Sequence, residues 1–227
     1  MVRTVDRYLN PVERFICANT TLMAPALLPE LKLWLATQEQ KFLIWHQTDT
    51  WMGKRNEYPP YWAFCWPGGE AVARYLLDNP AAVAGRRVID LGSGGGVVAV
   101  AAAKAGAAQA VGNDIDRLAL VSLRLNAEAN GVTCAVSSED WLAGPPGAPE
   151  AEVVTAGDIF YGTELTAKAM AWLRGHAAKG RLVLLGDPGR RYLTSNRLEL
   201  MARYDMPETD DPDNRHLRDI TVWRVLP

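Results

Sequence analysis

V-I-D-L-G-S-G-G-G, residues 88–96, is the stretch that decides the fold. An apolar run ends at Asp90, glycines follow at positions 92, 94, 95 and 96, and a stretch rich in Ala and Val comes next. This order predicts a buried strand that turns directly into a helix. Glycines allow a ligand to lie against such a turn and against the helix N-terminus, because a Cβ atom there would block it. We therefore expect a ligand site at the carboxyl end of this strand, with Gly92, Ser93, Gly94 and Gly96 in its loop.

A second acidic residue supports a nucleoside site. Asp114 lies 24 residues after Asp90, at the end of the next predicted strand, where a carboxylate accepts hydrogen bonds from both ribose hydroxyls. A dinucleotide or S-adenosylmethionine would fit this pattern. The dinucleotide motif needs a third glycine or an alanine where this chain has Val97, and Asp90 would repel a pyrophosphate. Asp90 would instead attract the ammonium and sulfonium groups of S-adenosylmethionine, so the charges favour that cofactor.

A third contact is expected after the third strand, in the segment S-S-E-D-W at residues 137–141. Asp140 is placed to accept a hydrogen bond from the adenine amino group, and Trp141 to lie along the adenine ring. Taken alone, Asp140 also fits a surface turn. Its position as the third acidic residue in register favours the adenine contact.

The rest of the chain alternates between strand and helix patterns, which predicts an open α/β sheet with parallel strands between helices. Strands are predicted at 86–92, 109–114, 132–136, 152–158 and 181–186, and helices at 70–77, 96–104, 117–130 and 164–178. Residues 204–208 and 219–225 predict a closing antiparallel hairpin. Helical spacing at 5–17 and 29–38 predicts a helical N-terminal extension, residues 1–68, that packs on a catalytic domain of residues 69–227.

Composition excludes several classes of function. The 227 residues carry 24 basic and 26 acidic side chains, so there is no overall positive field for a nucleic-acid backbone. The three cysteines are far apart and predict no metal site, and none of the three histidines is expected to be catalytic. No export leader and no membrane span are expected. We therefore predict a cytoplasmic protein without a nucleic-acid or membrane partner.

Three further segments carry a resemblance to a known family. They are YWAFCWPGGEAVARYLL at 61–77, D-I-F-Y at 158–161 and GDPGRRYL at 186–193. Together they resemble the D-x-x-Y group of class I, seven-β-strand, Rossmann-like protein-lysine methyltransferases. With FICANTTLMAPALLPELKLWLA at 15–36, the chain is similar to the bacterial electron transfer flavoprotein β-subunit lysine methyltransferases over nearly its whole length.

The resemblance implies that the hairpin completes the sheet of that fold. It implies S-adenosylmethionine as cofactor, S-adenosylhomocysteine as product, and the flavoprotein β-subunit as protein substrate. It also implies cofactor contacts from Trp66, Ile115 and Gly157 beside the acidic residues above.

Asp158 and Tyr161 are the candidate catalytic residues. A lysine with a pKa of about 10.4 must lose a proton before it attacks a methyl group. An apolar channel favours the neutral amine, and a carboxylate such as Asp158 orients it. The alternatives are that Asp158 caps the next helix and that Tyr161 is a surface aromatic. Two other functions stay open: methylation of nucleic-acid amino groups, in which class prolines stand where this chain has Ile159 and Phe160, and binding without turnover.

Overall fold

The computed structural model describes residues 9–52, 59–144, 150–193, 196–207 and 217–227. The helices of the described chain are α1 (Pro11–Asn19), α2 (Gln38–Met52), α3 (Pro67–Asp78), α4 (Val97–Lys104), α5 (Arg117–Ala129) and α6 (Thr163–Ala177), with short 3-10 turns at Tyr61–Ala63 and Pro80–Ala82. The strands are β1 (Thr21–Met23), β2 (Leu33–Leu35), β3 (Arg87–Leu91), β4 (Gln109–Asn113), β5 (Ala135–Ser137), β6 (Val153–Gly157), β7 (Leu182–Asp187), β8 (Leu198–Pro207) and β9 (Leu217–Val225).

The described residues form a seven-stranded sheet in the order β5-β4-β3-β6-β7-β9-β8. The first five strands in this order run parallel, and β9 pairs antiparallel with both β7 and β8. The predicted doubly wound sheet with a closing hairpin is therefore confirmed. The strand order reverses between β3 and β6, and such a switch point opens a crevice at the carboxyl ends of the strands.

Apolar side chains on both faces of the central strands explain the layers. In β3 every residue after Arg87 is buried, and β6 is buried from Val153 to Ala156. Strands without an exposed face need helices on both sides. Helices α3 and α4 cover one face, where Val72 and Val98 are fully or almost fully buried, and α6 covers the other with Leu173. This arrangement fixes the strand ends that carry the candidate site.

The N-terminal segment differs in part from its prediction. Helix α1 begins at Pro11 after an Asn10 capping box, and residues 1–8 lie outside the described chain. The prediction of a helix at 29–38 is wrong, because this segment forms a turn and then strand β2, which pairs with β1. Leu33 and Leu35 are buried while Trp34 between them is partly exposed, which is the alternation of a strand. Helix α2 occupies the stretch that follows.

Two strand predictions also needed adjustment. The third parallel strand lies at 135–137 rather than 132–136, and it is a short edge strand beside β4. Strand β8 begins at Leu198, well before the predicted start at 204, and its pairing with β9 shifts between Leu200 and Ala202. Residues 208–216, which connect β8 and β9, are outside the described part. Within the described residues, no helix has both the length and the apolar composition that a membrane crossing requires.

Candidate active site

A cavity of about 990 Å³ opens at the carboxyl ends of β3, β4 and β6. The residues predicted for cofactor and catalysis come together on its wall: Trp66, Asp90, Gly92, Ser93, Gly94, Asp114, Ile115, Asp140, Trp141, Gly157, Asp158 and Tyr161. Gly96 is the predicted site residue that does not line it. The cavity is large enough for a drug-sized ligand such as a nucleoside conjugate.

The glycine turn has two distinct tasks. Gly94 has a φ of 51° and faces open space, since a Cβ there would meet nothing closer than Trp62 Cα at 3.9 Å. It therefore leaves room for a ligand beside the turn. Gly96 instead faces α5, where a Cβ would overlap the Leu123 side chain. Gly96 thus permits the packing of α4 on α5 and does not border the cavity.

Asp90 is a buried acidic residue in the lining of the cavity. Its residue surface is only 2% exposed, and Thr155 Oγ1 donates to its Oδ1 at 2.8 Å. Within the described structure its Oδ2 has no hydrogen-bond partner. Burial raises the pKa of Asp90 to about 7. An unpartnered buried carboxylate oxygen beside a glycine turn fits the cationic end of S-adenosylmethionine.

Asp114 ties the glycine turn to the end of β4. Its Oδ2 accepts from the Gly94 backbone N–H at 2.9 Å, and its Oδ1 accepts from the Asp116 N–H at 2.9 Å. Burial raises the pKa of Asp114. Each carboxylate oxygen keeps a second lone pair, so both remain able to accept from a ribose hydroxyl. The next residue, Ile115, is half exposed on the cavity rim.

The third strand end is built differently from the simple expectation. Asp140 Oδ1 accepts from the Leu142 N–H at 2.9 Å, so this carboxylate also shapes its own turn. Trp141 is only 4% exposed and stacks on Trp172, with ring centroids 6.0 Å apart and planes at 10°. One face of the Trp141 ring thus belongs to the core. Only a small part of Trp141 remains accessible from the cavity.

Asp158 is held by contacts with α3 and with the segment that follows β7. Its Oδ2 accepts from the Gly69 N–H at 2.8 Å, and its Oδ1 accepts from Arg190 Nη1 at 2.6 Å. Burial raises the pKa of Asp158, and Arg190 opposes this rise. The helix-cap alternative for Asp158 is excluded, because the residue before α6 is Gly162 and no side chain caps that helix.

The two residues between Asp158 and Tyr161 are buried in the core. Phe160 is fully buried in the same core cluster as Leu173 of α6, and Ile159 belongs to this cluster and also lines the cavity. Tyr161 is 55% exposed and lies on the cavity rim. The D-x-x-Y turn is therefore anchored in the core by Ile159 and Phe160, while Asp158, Ile159 and Tyr161 border the cavity.

Aromatic rings lie together along the cavity, among them Tyr61, Phe64, Trp66 and Tyr161. The Tyr61 ring lies 5.9 Å from Tyr161 and 5.6 Å from Trp66, measured between centroids. The indole N–H of Trp66 donates to the Tyr61 carbonyl at 3.0 Å, which fixes the orientation of that ring. Sequence reasoning missed Tyr61, although the aromatic run at 61–66 was an available signal. It also missed Arg190, within the quoted GDPGRR run.

The fold and the site together define a class I, S-adenosylmethionine-dependent methyltransferase. Residues 75–157 match the family model described as ribosomal protein L11 methyltransferase (PrmA). A crystal structure of ribosomal protein L11 methylase from Lactobacillus delbrueckii subsp. bulgaricus has the same fold, with a TM-score of 0.52 at 20% identity over 72% of this chain and 80% of that one.

Full-length relatives are more similar in sequence. The chain is 36% identical to the electron transfer flavoprotein beta subunit lysine methyltransferase of Mus musculus, over 99% of this chain and 89% of that protein. It is 38% identical to the protein of the same name from Xenopus laevis, over 94% of this chain and 86% of the relative. The chain belongs to the electron transfer flavoprotein β-subunit lysine methyltransferase family.

Proposed function

We propose that this enzyme transfers methyl groups from S-adenosylmethionine to lysine side chains of the electron transfer flavoprotein β-subunit. One observation carries the proposal. A single cavity contains Asp90 and Asp114, the acidic residues expected to contact the cofactor, together with Asp158 and the aromatic rings of its mouth. Asp90 and Asp114 suit the cationic end of the cofactor and its ribose. Asp158 and the aromatic mouth suit the long side-chain amine of a lysine that enters from outside. The names of the full-length relatives support the choice of protein substrate.

Each group then has a defined task in the transfer. When bound, the cofactor supplies an activated methyl group on sulfur. The aromatic rings exclude water around the entering lysine, which favours its neutral form, and the proton leaves to solvent. Asp158 accepts a hydrogen bond from the neutral amine and thereby aims the lone pair of the lysine nitrogen at the methyl carbon. The nitrogen–carbon bond forms as the carbon–sulfur bond breaks, and the product is S-adenosylhomocysteine.

Two substitutions test these roles. In Asp158→Ala the amine loses its acceptor, so methyl transfer should fall by orders of magnitude while cofactor affinity is retained. Tyr161→Phe should lower transfer less, because the ring remains. Calorimetry with S-adenosylmethionine and mass spectrometry of the flavoprotein β-subunit measure the two quantities. Full activity of Asp158→Ala would exclude its catalytic role.

The absence of a nucleic-acid partner is also part of the proposal. Ile159 and Phe160 replace the prolines of the nucleic-acid amino-methyltransferases, and both are buried in the core. The near-neutral net charge of −2 gives no support for binding a phosphate backbone. Labelled S-adenosylmethionine added to a cell extract should label protein. Label in nucleic acid would overturn this part, and no label at all would favour a binding module.

We further propose a cytoplasmic location. Cys17, Cys65 and Cys134 are free thiols, which suits a reducing compartment. Fractionation of cells should recover the enzyme in the cytoplasmic fraction, and recovery from another compartment would contradict the proposal.

A further inference from the structure

We propose that Arg190 is a positioning residue that fixes the Asp158 carboxylate toward the cavity mouth. This inference rests on the proposed function, since it assumes that Asp158 orients the substrate amine. It adds a residue from the end of β7 to the reaction, although β7 itself contributes no expected ligand.

Arg190 connects the ends of two strands through its hydrogen bonds to Asp158 and Asp187. Its Nη1 lies 2.6 Å from Asp158 Oδ1 and 3.4 Å from Asp187 Oδ2. Its backbone N–H donates to Asp187 Oδ1 at 2.6 Å. Asp187 is almost fully buried, and the Arg190 side chain is 23% exposed. The guanidinium is therefore itself held in place by Asp187, and it transmits that position to Asp158.

The second carboxylate oxygen of Asp158 and the backbone of this residue are also constrained. Its Oδ2 accepts from the Gly69 N–H, and a Cβ on Gly68 would lie 2.7 Å from the same oxygen. The backbone of Asp158 has a φ of 57°, an uncommon value for a residue other than glycine. Such a conformation persists when its surroundings enforce it. Gly69 and Arg190 thus each hold one of the two carboxylate oxygens in place.

The charges around Asp158 give Arg190 a second effect. The carboxylates of Asp187 and Glu70 and the thiol of Cys65 interact electrostatically with Asp158, and none of them brings positive charge. Burial raises the pKa of Asp158, and Asp187 raises it further. Among the described groups that act on this carboxyl, Arg190 is the one cation. Without it, Asp158 should become protonated at higher pH and lose its acceptor character.

The experiment compares Arg190→Gln and Arg190→Lys with Arg191→Ala, a control at the exposed neighbour. Arg190→Gln should lower kcat by about 10- to 100-fold, the size of a positioning defect, with cofactor affinity near that of the unchanged enzyme. The acid limb of its pH–rate profile should move to higher pH. Arg190→Lys should restore much of the rate and the original limb. Arg191→Ala should behave as the unchanged enzyme. The substrate lysine titrates alike in all variants, so a shift of the acid limb between variants comes from the enzyme.

The double variant Asp158→Asn/Arg190→Gln shows whether Arg190 acts through Asp158. If it does, losing Arg190 should cost little once Asp158 has been replaced. An unchanged kcat and pH profile in Arg190→Gln would overturn the inference. So would a loss confined to cofactor affinity, which would make Arg190 a cofactor ligand. Full activity in Asp158→Asn alone would instead refute the proposed function of Asp158, so the two failures are distinguishable. If Arg190→Gln does not fold, Arg190→Lys decides: a rate loss as severe as that of Asp158→Asn would overturn the inference.

Discussion

Replacing Asp114 by alanine should separate cofactor binding from folding. The carboxylate at the end of β4 accepts from the Gly94 and Asp116 backbone N–H groups, both at 2.9 Å. In the complex we expect it to accept from the ribose hydroxyls as well. Losing a charged acceptor for the ligand should weaken binding by about 1–3 kcal/mol, roughly 5- to 150-fold in Kd.

The effect on folding should be smaller. Water in the cavity can reach the two backbone N–H groups once the carboxylate is gone, so the free energy of unfolding should fall by only about 1 kcal/mol. Asp114→Asn keeps one acceptor oxygen and should lose less affinity than the alanine variant. Asp205→Ala removes an exposed carboxylate on β8 and serves as the charge-matched control.

Isothermal calorimetry with S-adenosylmethionine measures the affinity, and urea unfolding without the cofactor measures the stability. We expect a weakened Kd in Asp114→Ala and an unchanged Kd in Asp205→Ala. A folded Asp114→Ala protein with unchanged cofactor affinity would refute the ribose contact and move the nucleoside elsewhere in the cavity.

Three further predictions concern Asp90, Asn126 and Gly186. Burial raises the pKa of Asp90 to about 7, so its carboxylate becomes charged as pH rises through that value. Calorimetry should therefore show cofactor affinity rising with pH in this range. In Asp90→Asn the cofactor affinity should depend less on pH. Asn126→Ala removes the bonds to the Trp34 N–H (2.7 Å) and the Gly95 carbonyl (2.8 Å), and should cost about 1–3 kcal/mol in urea unfolding, whereas an unchanged midpoint would contradict this bridge. Gly186→Ala should lower Tm, because its Cβ would overlap the Gly68 carbonyl oxygen. In the control Gly175→Ala, in α6, the Cβ would meet nothing within 4 Å, so Tm should be equal or higher. An unchanged Tm in Gly186→Ala would contradict the close packing.

The central sheet was predictable because its patterns are local. The apolar runs of β3 and β6 and the Ala-rich α4 have the right length and period, and each is bounded by glycine or acidic residues. Strand ends on a parallel sheet meet at one edge, so Asp90, Asp114 and Asp158 could be placed together before the structure was known.

The N-terminal hairpin was not predictable in the same way. Leucines at 28, 31 and 35 have helical spacing, and Leu33 breaks that pattern only weakly. Contacts with α5 and its C-terminal end stabilise the strand: Asn126 accepts from the Trp34 backbone N–H, and Asn130 accepts from the Lys32 N–H. These partners are more than 90 residues apart in sequence. A tertiary contact of this kind overrides a local pattern.

Parts of the candidate site depended on similar long-range contacts. Arg190 is 32 residues from Asp158 in sequence, and no spacing rule joins them. Tyr61 reaches Tyr161 only because the residues before α3 fold over the carboxyl end of β6. Trp141 was predicted from its strand end alone, and the stacking on Trp172 from α6 that buries one of its faces could not be read from that position.

Methylation of purified electron transfer flavoprotein β-subunit tests the central claim most directly. The enzyme and S-adenosylmethionine are incubated with the β-subunit, and intact-mass and peptide mass spectrometry locate the added methyl groups. We predict methyl groups on lysine side chains with the unchanged enzyme, and almost none with Asp158→Ala, which should still bind the cofactor. A β-subunit that gains no methyl group from an enzyme shown by calorimetry to bind S-adenosylmethionine would contradict the proposed substrate.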